Sequence, residues 1–261
     1  MHIAVVGGTG LIGSRVVNRL RDHGVEVRVA SLRTGVDAYR GVGLVETFDG
    51  AEVVVDVLNM NRPSYDYEQA VDYFETCTRN ILTAEEEVGV QHHVGLSIIG
   101  AGGIESNYFR GKAAQERLVG ASRTPHSVLR TTLFYEFLPK LVDHVATTHL
   151  VRLPPVRVRP VAADDVVTEI CRLALGAPLN GRYELAGPEE HFLDELAREV
   201  LATEGDHRTV MTDTTAYFLG ARLEPDSESL LPSWRISDRT FKNWLTSSSV
   251  RPTGALRAAV H

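Results

Sequence analysis

Three glycines that follow the first apolar run constrain the fold of this chain more than any other feature. Gly7, Gly10 and Gly13 stand between a strand-like run, His2–Val6, and a segment from Leu11 to about Arg21 with helical apolar spacing. The first glycine permits a tight turn, the second lets the backbone approach a pyrophosphate, and the third lets the helix pack closely. The pattern predicts a dinucleotide site at the helix N-terminus, although a purely structural turn is the alternative. The residues expected to line the site are Gly7, Thr9, Gly10, Leu11, Ile12 and Gly13.

Strand-like and helix-like segments alternate through the first half of the chain. Strands are predicted at VEVRVAS, AEVVVDVLN, QHHVGLSIIG and HSVLRTT, and helices from about Asp66 to Val88 and from about Asn107 to Val119. This alternation predicts an α/β fold, a Rossmann-type doubly wound parallel sheet. The pattern loosens after about Phe134, and the aromatic residues between Asp206 and Leu245 predict a small C-terminal lobe. We expect an NAD(P)-binding domain over 1–150 to which later segments return, a lobe mostly over 151–245 and a tail over 246–261.

The end of the second predicted strand indicates which dinucleotide is bound. NAD sites usually hold an acid there for the ribose hydroxyls, whereas this chain has Ser31 and Arg33 and no acid. A cation and a hydroxyl suit a 2′-phosphate, and a solvated arginine is the alternative interpretation. NADP(H) is therefore favoured over NAD(H). Leu58 and Asn59, which follow the strand through Val53–Val57, are also expected to line the cofactor.

Tyr108 and Lys112 are four residues apart on a predicted helix, so their side chains share one face. A neighbouring ammonium and a nicotinamide cation would stabilise the phenolate and lower the pKa of the tyrosine. Such a phenol can donate a proton to a carbonyl oxygen, and Ser97, at a strand end, could polarise the same oxygen. The predicted catalytic residues are therefore Tyr108, Lys112 and Ser97, and Lys112 is also expected to bind the cofactor by orienting the nicotinamide ribose. In the alternative interpretation, Lys112 only binds the nicotinamide ribose and Tyr108 only shapes the pocket.

Through GxxGxxG, Ser97 and the YxxxK match YFRGK, the chain resembles the short-chain dehydrogenase/reductase superfamily. The stretches GGTGLIGS, VGLSIIGA, YFRGKAAQE, LRTTLFYEF, RPVAADDV and YELAGPE resemble, in this order, the atypical NmrA-like branch. The resemblance covers about Met1–Leu245 and implies a Rossmann domain with a substrate lobe. That branch includes reductases, isomerases and redox-sensing regulators that bind NADP without turnover. Many relatives place an assisting Asn on the long helix where this chain has Phe74, and we interpret the nearby Asn80 as structural.

These observations favour an NADPH-dependent oxidoreductase that reduces a small carbonyl, enone or quinone. The aromatic stretch from Phe134 to Leu138 could form a wall for an apolar or aromatic substrate, or could belong to the core. Asp164 and Asp165 are interpreted as N-caps of the helix that follows, rather than as an acid–base pair. The rival functions are an NAD(P)-dependent isomerase or epimerase and a non-catalytic NADP(H)-binding redox sensor. The Tyr–Lys pair counts against the sensor, which needs no proton donor.

Charge and hydropathy limit the partners of the protein. The formal net charge of -7 argues against nucleic acid, because phosphates demand a basic face. No run of about 18 apolar residues is present, and no charged leader precedes the apolar run at Ile3. We therefore expect a small-molecule substrate, no nucleic acid, no membrane and a cytoplasmic location. The oligomeric state is left open.

The cysteines and histidines do not suggest a disulfide framework or a metal site. Cys77 and Cys171 are far apart in sequence, and we expect free thiols in a reducing compartment. His92 and His93 would point to opposite faces of a strand, which makes them a poor chelate. No metal is therefore predicted.

Overall fold

The computed structural model describes residues 1–60, 69–224 and 235–247 of the 261-residue chain. In chain order, its strands and helices are β1 (His2–Val6), α1 (Leu11–Asp22), β2 (Glu26–Ala30), α2 (Leu44–Phe48), β3 (Val53–Asp56), α3 (Ala70–Val88), β4 (His92–Ile98), α4 (Asn107–Ala121), β5 (His126–Thr131), α5 (Leu138–Val145), β6 (Leu150–Leu153), β7 (Arg157–Val158), α6 (Ala163–Leu175), β8 (Gly181–Ala186), β9 (His191–Phe192), α7 (Leu193–Glu204), β10 (Thr209–Thr212), β11 (Arg235–Ile236) and α8 (Phe241–Ser247).

The main sheet contains seven strands in the order β11-β8-β5-β4-β3-β1-β2. Strand β1 lies between β2 and β3 and is parallel to both, and β3 is parallel to β4. Because the chain leaves β1 for β2 on one side and then passes to β3 on the other, the winding reverses beside β1. Ligands of doubly wound sheets bind at the carboxyl ends of the strands at such a switch point. The predicted Rossmann-type parallel sheet is therefore confirmed.

The predicted elements of the first half agree with the observed ones within a few residues. The helix expected from about Asp66 is α3, which begins at Ala70, and residues 66–68 lie outside the described part of the chain. The stretch between β2 and β3 is fully described and contains only α2, a 3-10 turn and the one-residue bridge Asp37–Val42. The connection thus lacks a strand of its own.

The described residues form two compact units. Unit 1 comprises 1–60, 69–130 and 164–183, and unit 2 comprises 131–163, 184–224 and 235–247. The domain boundary near residue 150 stays a prediction. All the residues proposed below for catalysis and cofactor binding belong to unit 1.

The core of unit 1 follows from the apolar character of its strands. Ile3, Ala4 and Val5 of β1 are fully buried, as expected for a strand that is covered on both faces. Phe48 of α2 and Ile81 of α3 are also fully buried, and burial of each such side chain contributes about 1.5–3 kcal/mol. One cluster of the core comprises Ala4, Val6, Ala30, Val36, Ala38, Leu44, Phe48, Ala51, Val54, Cys77, Ile81, Ala84 and Val90.

Helix α6 starts earlier than the sequence suggested. It begins at Ala163, so Asp164 and Asp165 lie in its first turn and the predicted N-cap role is wrong. Carboxylates in a first turn are favourable because they face the positive end of the helix dipole. Asp164 Oδ1 also accepts a hydrogen bond of 2.8 Å from Arg15 Nη1 of α1. These acids are therefore structural, although not as caps.

Unit 2 contains the parallel pair β6–β10 and the antiparallel pair β7–β9. Tyr135 is fully buried, and its ring centroid lies 5.3 Å from that of Phe241 and 5.4 Å from that of Trp244. Tyr135 therefore belongs to the core, as one of the two alternatives predicted. The substrate-wall interpretation stays a prediction for the half-buried Phe134 and Phe137.

The C-terminal prediction falls largely on residues that are not described. Of the predicted tail, residues 248–261 lie outside the described ranges. Within those ranges, no helix combines the length and the apolar character that a bilayer crossing requires. The cytoplasmic location and the oligomeric state stay open.

Candidate active site

The glycine loop after β1 and the first turn of α1 are packed so tightly that a side chain would not fit at Gly7, Gly8 or Gly13. Gly7 has φ +75, and a Cβ there would lie 3.0 Å from the Val57 carbonyl oxygen and 3.1 Å from the Leu58 nitrogen. A Cβ on Gly13 would lie only 2.2 Å from the Gly7 carbonyl oxygen. The loop therefore needs glycine to lie against the carboxyl end of β3 and to bring α1 close to β1.

The N-terminus of α1 offers the backbone chemistry that a phosphate needs. Gly10 is the N-cap and supplies no side-chain hydrogen bond, and the first turn holds no acid. The first amides of a helix have no partner within the helix, and the helix dipole adds positive potential there. Thr9 and Gly10 are exposed and Leu11 is half-buried, whereas the Ile12 side chain belongs to the core. These residues fit a dinucleotide pyrophosphate.

The two residues predicted to read the 2′-phosphate lie directly after β2. Ser31 is the N-cap of the 3-10 turn Leu32–Thr34, and its backbone N–H donates to Thr34 Oγ1 over 3.0 Å. The Ser31 side chain accepts from the Thr34 backbone N–H, which completes a capping box, and its hydroxyl also lies 3.4 Å from Thr34 Oγ1. Arg33 is exposed on the turn. Ser31 thus already has a structural task, and Arg33 is the better candidate for a phosphate.

Tyr108 lies in the first turn of α4, where it meets the loop after β3. Its hydroxyl donates to Asn59 Oδ1 over 3.4 Å, and its ring meets Phe74 edge-on at 5.9 Å and Phe109 at 5.8 Å. Burial raises the pKa of Tyr108 to about 12, and the hydrogen bond to Asn59 only partly opposes this. The phenol is therefore protonated at neutral pH and can act as an acid. Lys112 is not among the groups that lower this pKa, although the sequence suggested that it would be.

Lys112 is buried, and its ammonium is already well coordinated. Nζ donates to the Leu96 carbonyl oxygen of β4 over 2.7 Å and to the side-chain oxygen of Gln115, and it lies 4.7 Å from the Phe74 ring centroid. Burial lowers the pKa of Lys112 to about 8, while the Asp56 carboxylate opposes that effect. Lys112 is therefore a buried cation whose ammonium is bound by groups of the protein.

Ser97 is placed differently from Tyr108. It is buried, and its hydroxyl donates to Glu116 Oε1 over 2.6 Å. Glu116 also accepts hydrogen bonds from Arg130 over 2.8 and 2.6 Å, and Arg182 Nε lies 3.3 Å from it. The structure therefore brings Tyr108 to Asn59 but directs the Ser97 hydroxyl to a buried carboxylate, and the catalytic role of Ser97 stays a prediction.

The polar residues that support Lys112 and Ser97 were not predicted from the sequence. Asp56 interrupts the apolar run VVVDV and is fully buried, and Gln115 and Glu116 are buried on α4. The charge inside an otherwise apolar strand is the signal that could have identified Asp56, because a buried carboxylate needs partners.

The two adjacent histidines of β4 have separate partners. His92 Nε2 lies 2.9 Å from Ser127 Oγ, whereas His93 Nδ1 donates to Glu85 Oε1 of α3 over 2.7 Å. In the part of the chain that the structure describes, no group of three or more His, Cys, Asp or Glu residues could hold a metal ion.

No protein-family model matches the chain, and no curated protein is similar to it in sequence. Solved structures do resemble it. A short-chain dehydrogenase/reductase superfamily protein from Agrobacterium tumefaciens with bound NAD is 18% identical over 81% of this chain and 85% of that chain, with a TM-score of 0.64. A dTDP-4-dehydrorhamnose reductase from Bacillus anthracis in complex with NADP is 14% identical over 86% and 88%, with a TM-score of 0.68.

An NADPH-dependent quinone oxidoreductase from Escherichia coli complexed with NADPH is 18% identical over 81% of this chain and 78% of that chain, with a TM-score of 0.62. At such identities the likeness concerns the fold and not the activity. The chain thus has the Rossmann-type fold that its resemblance to short-chain dehydrogenase/reductase proteins implied.

Proposed function

We propose that the protein is an NADPH-dependent oxidoreductase that reduces a small carbonyl, enone or quinone, with Tyr108 as the proton donor. The observation that carries this proposal is the contact between the Tyr108 hydroxyl and Asn59, 3.4 Å apart. Asn59 directly follows Leu58, which packs against Gly7 of the glycine loop. A protonated phenol therefore lies at the sheet edge where the loop and the free amides of α1 fit a pyrophosphate.

The residues that would hold the dinucleotide are those of the loop and of the strand ends. The amides at the start of α1 would bind the pyrophosphate, and Arg33 would bind the 2′-phosphate. Leu58 and Asn59, at the carboxyl end of β3, would line the cofactor. When bound, the reduced nicotinamide supplies a hydride to the substrate. The preference for NADP(H) rests on Arg33 and on the absence of an acid after β2.

Tyr108 would complete the reduction by donating its proton to the substrate oxygen. Its raised pKa keeps the phenol protonated in the free protein, where Lys112 does not contribute to that pKa. In the proposed reaction the Lys112 ammonium, one helical turn away, would support the phenolate only once the proton has moved to the substrate. Ser97 can contribute a hydrogen bond only if its hydroxyl leaves Glu116. We therefore assign the proton to Tyr108, the electrostatic support to Lys112 and a minor role to Ser97.

The test is NADPH oxidation by the full chain against a panel of aldehydes, ketones, enones and quinones, with Tyr108→Phe alongside. Loss of a general acid lowers kcat by about 10²- to 10⁴-fold, so we expect a collapse of that size. Tyr73→Phe is the matched control, because Tyr73 also packs against Phe74, at 5.6 Å, and is not part of the site. Equal turnover by wild type and Tyr108→Phe would contradict the assignment. An isomerase would leave the NADPH concentration unchanged.

A non-catalytic NADP(H) sensor is the second candidate, and three contacts favour it. The Ser97 hydroxyl is held by Glu116, and two donors of Lys112 are held by Leu96 and Gln115. A site whose polar groups are satisfied internally can bind a nucleotide without turning it over. Tight NADPH binding without turnover of any substrate in the panel would favour the sensor.

A further inference from the structure

Three buried side chains form a continuous polar chain between α4 and β3. Asp56, Gln115 and Lys112 are 0%, 3% and 4% exposed. Lys112 Nζ donates to Gln115 Oε1, and Gln115 Nε2 donates to Asp56 Oδ2 over 2.7 Å. A single amide thus joins a buried ammonium to a buried carboxylate.

Both ends of this row of three side chains are hydrogen-bonded to backbone that borders the candidate site. Lys112 also donates to the Leu96 carbonyl oxygen, 2.7 Å away, at the end of β4. Asp56 Oδ1 accepts the backbone N–H of Leu58 over 3.0 Å. Leu58 directly precedes Asn59, the partner of Tyr108. Tyr108 and Lys112 are therefore connected twice, through the backbone of α4 and through this series of hydrogen bonds.

The charges at either end leave the amide only one orientation. Its oxygen must face the ammonium and its NH₂ group must face the carboxylate, because the reverse would bring like partial charges together. The spacing also keeps the two ions from pairing directly. The amide thus separates the two ions and passes part of the carboxylate field on to the ammonium.

We propose that Gln115 is a positioning residue whose amide holds the Lys112 ammonium against the Leu96 carbonyl. Through Asp56, the same amide connects Lys112 to the backbone of Leu58 and Asn59, and Asn59 is the partner of Tyr108. The proposal deepens, and for its catalytic meaning rests on, the proposed function. Gln115 itself is not expected to touch substrate or cofactor.

The state of Lys112 can be read directly, because the chain has only three lysines, Lys112, Lys140 and Lys242. Lysine labelled with ¹³C at Cε gives three NMR signals, which the Lys140→Arg and Lys242→Arg variants assign. The charged groups that face Lys112 are Asp56 from β3 and Glu116 from α4. Its uncharged neighbours are the Phe74 ring and the Leu96 carbonyl.

Two variants of Gln115 should move this titration in opposite directions. In Gln115→Glu a carboxylate replaces the amide, so the pKa of Lys112 should rise from about 8 towards its ordinary value, about 10.4. In Gln115→Met the ammonium loses an acceptor, so its pKa should fall, and the Leu58 amide signal should shift. Asn80→Asp is the matched control, since the Asn80 amide donates to the Ala38 and Tyr39 carbonyls, 2.9 and 3.0 Å away, and not to Lys112 or Asp56. It should leave the Lys112 signal unchanged.

Unchanged titration of Lys112 in both Gln115 variants, or a shift of the same sign in both, would overturn the proposal. If neither variant folds, the wild type provides the test, because the ¹⁵N chemical shift of the Gln115 carboxamide must change with the titration of Lys112. In the NADPH assay, Gln115→Met should lower kcat about tenfold and change KM for the carbonyl substrate less, as expected for lost positioning. A wild type without turnover would defeat the proposed function, yet the NMR titration would still test the role of Gln115.

Discussion

The side chains of His93 and Glu85 are both fully enclosed, with 2.7 Å between His93 Nδ1 and Glu85 Oε1. Burial alone would lower the pKa of His93, but the carboxylate outweighs it and the net shift is upward. Burial also raises the pKa of Glu85. The folded protein therefore keeps a proton on this pair at pH values where the unfolded chain has released it.

This pair should make the protein less stable as the pH rises. A histidine with a raised folded pKa contributes stability that is fully present below its unfolded pKa, about 6.5, and is lost as the pH rises through the folded pKa. Glu85→Gln removes the charge but keeps an acceptor. We expect it to lower the free energy of unfolding by about 1.5–3 kcal/mol at pH 6 and by less at pH 9.

Urea unfolding of wild type and variant at several pH values checks this expectation. His92, whose pKa burial lowers to about 4, contributes a slope of opposite sign, but it is common to both proteins and cancels in the difference. Glu86→Gln is the control, because the Glu86 side chain is 65% exposed and its change should cost little. A wild-type-minus-variant difference that grows with pH would refute the sign.

At the scale of elements, glycine spacing decides how α1 meets the sheet. Gly13→Ala would place a Cβ 2.2 Å from the Gly7 carbonyl oxygen, so α1 must move away from the loop. Because the amides of α1 form the proposed phosphate site, we expect NADPH affinity to fall at least tenfold, together with a loss of stability. Titration of the NADPH fluorescence measures the affinity.

The matched control for this change is a glycine on another helix. A Cβ at Gly120, near the end of α4, would meet nothing within 4 Å. Gly120→Ala should therefore leave NADPH affinity unchanged and raise stability by up to about 1 kcal/mol, because it restricts the unfolded chain. Equal NADPH affinity in Gly13→Ala and wild type would show that α1 does not bind the phosphates.

The elements were more predictable than the contacts between them. Helix α1 and the glycine loop follow from periodicity and spacing, which are local. The partner of Ser97 was not predictable, because β4 is covered on both faces and its pattern does not tell which face a side chain takes. Likewise, spacing places Lys112 one turn from Tyr108, but its ammonium is fixed by Phe74 of α3 and Leu96 of β4. Such choices depend on tertiary packing.

At the scale of the whole molecule, the net charge of -7 opposes the binding of any dinucleotide phosphate. NADPH, which carries an extra phosphate, therefore binds more tightly than NADH only if a local cation outweighs that repulsion. Arg33 is the proposed cation, and it lies on an exposed turn that Ser31 and Thr34 cap. The preference for NADPH should thus depend on Arg33.

Ligand-linked stability measures this preference without a known substrate. A bound ligand stabilises the folded protein more when its Kd is lower, by about 2.7 kcal/mol at one hundred times the Kd. If the protein prefers NADPH, NADPH should therefore raise Tm more than NADH at equal concentration. In Arg33→Ala we expect the difference between the two nucleotides to shrink or disappear. Because exposed ion pairs are screened, added salt should also reduce the difference. Equal protection of the wild type by both nucleotides would show that the protein does not distinguish them, and Arg33 would then be a solvated surface residue.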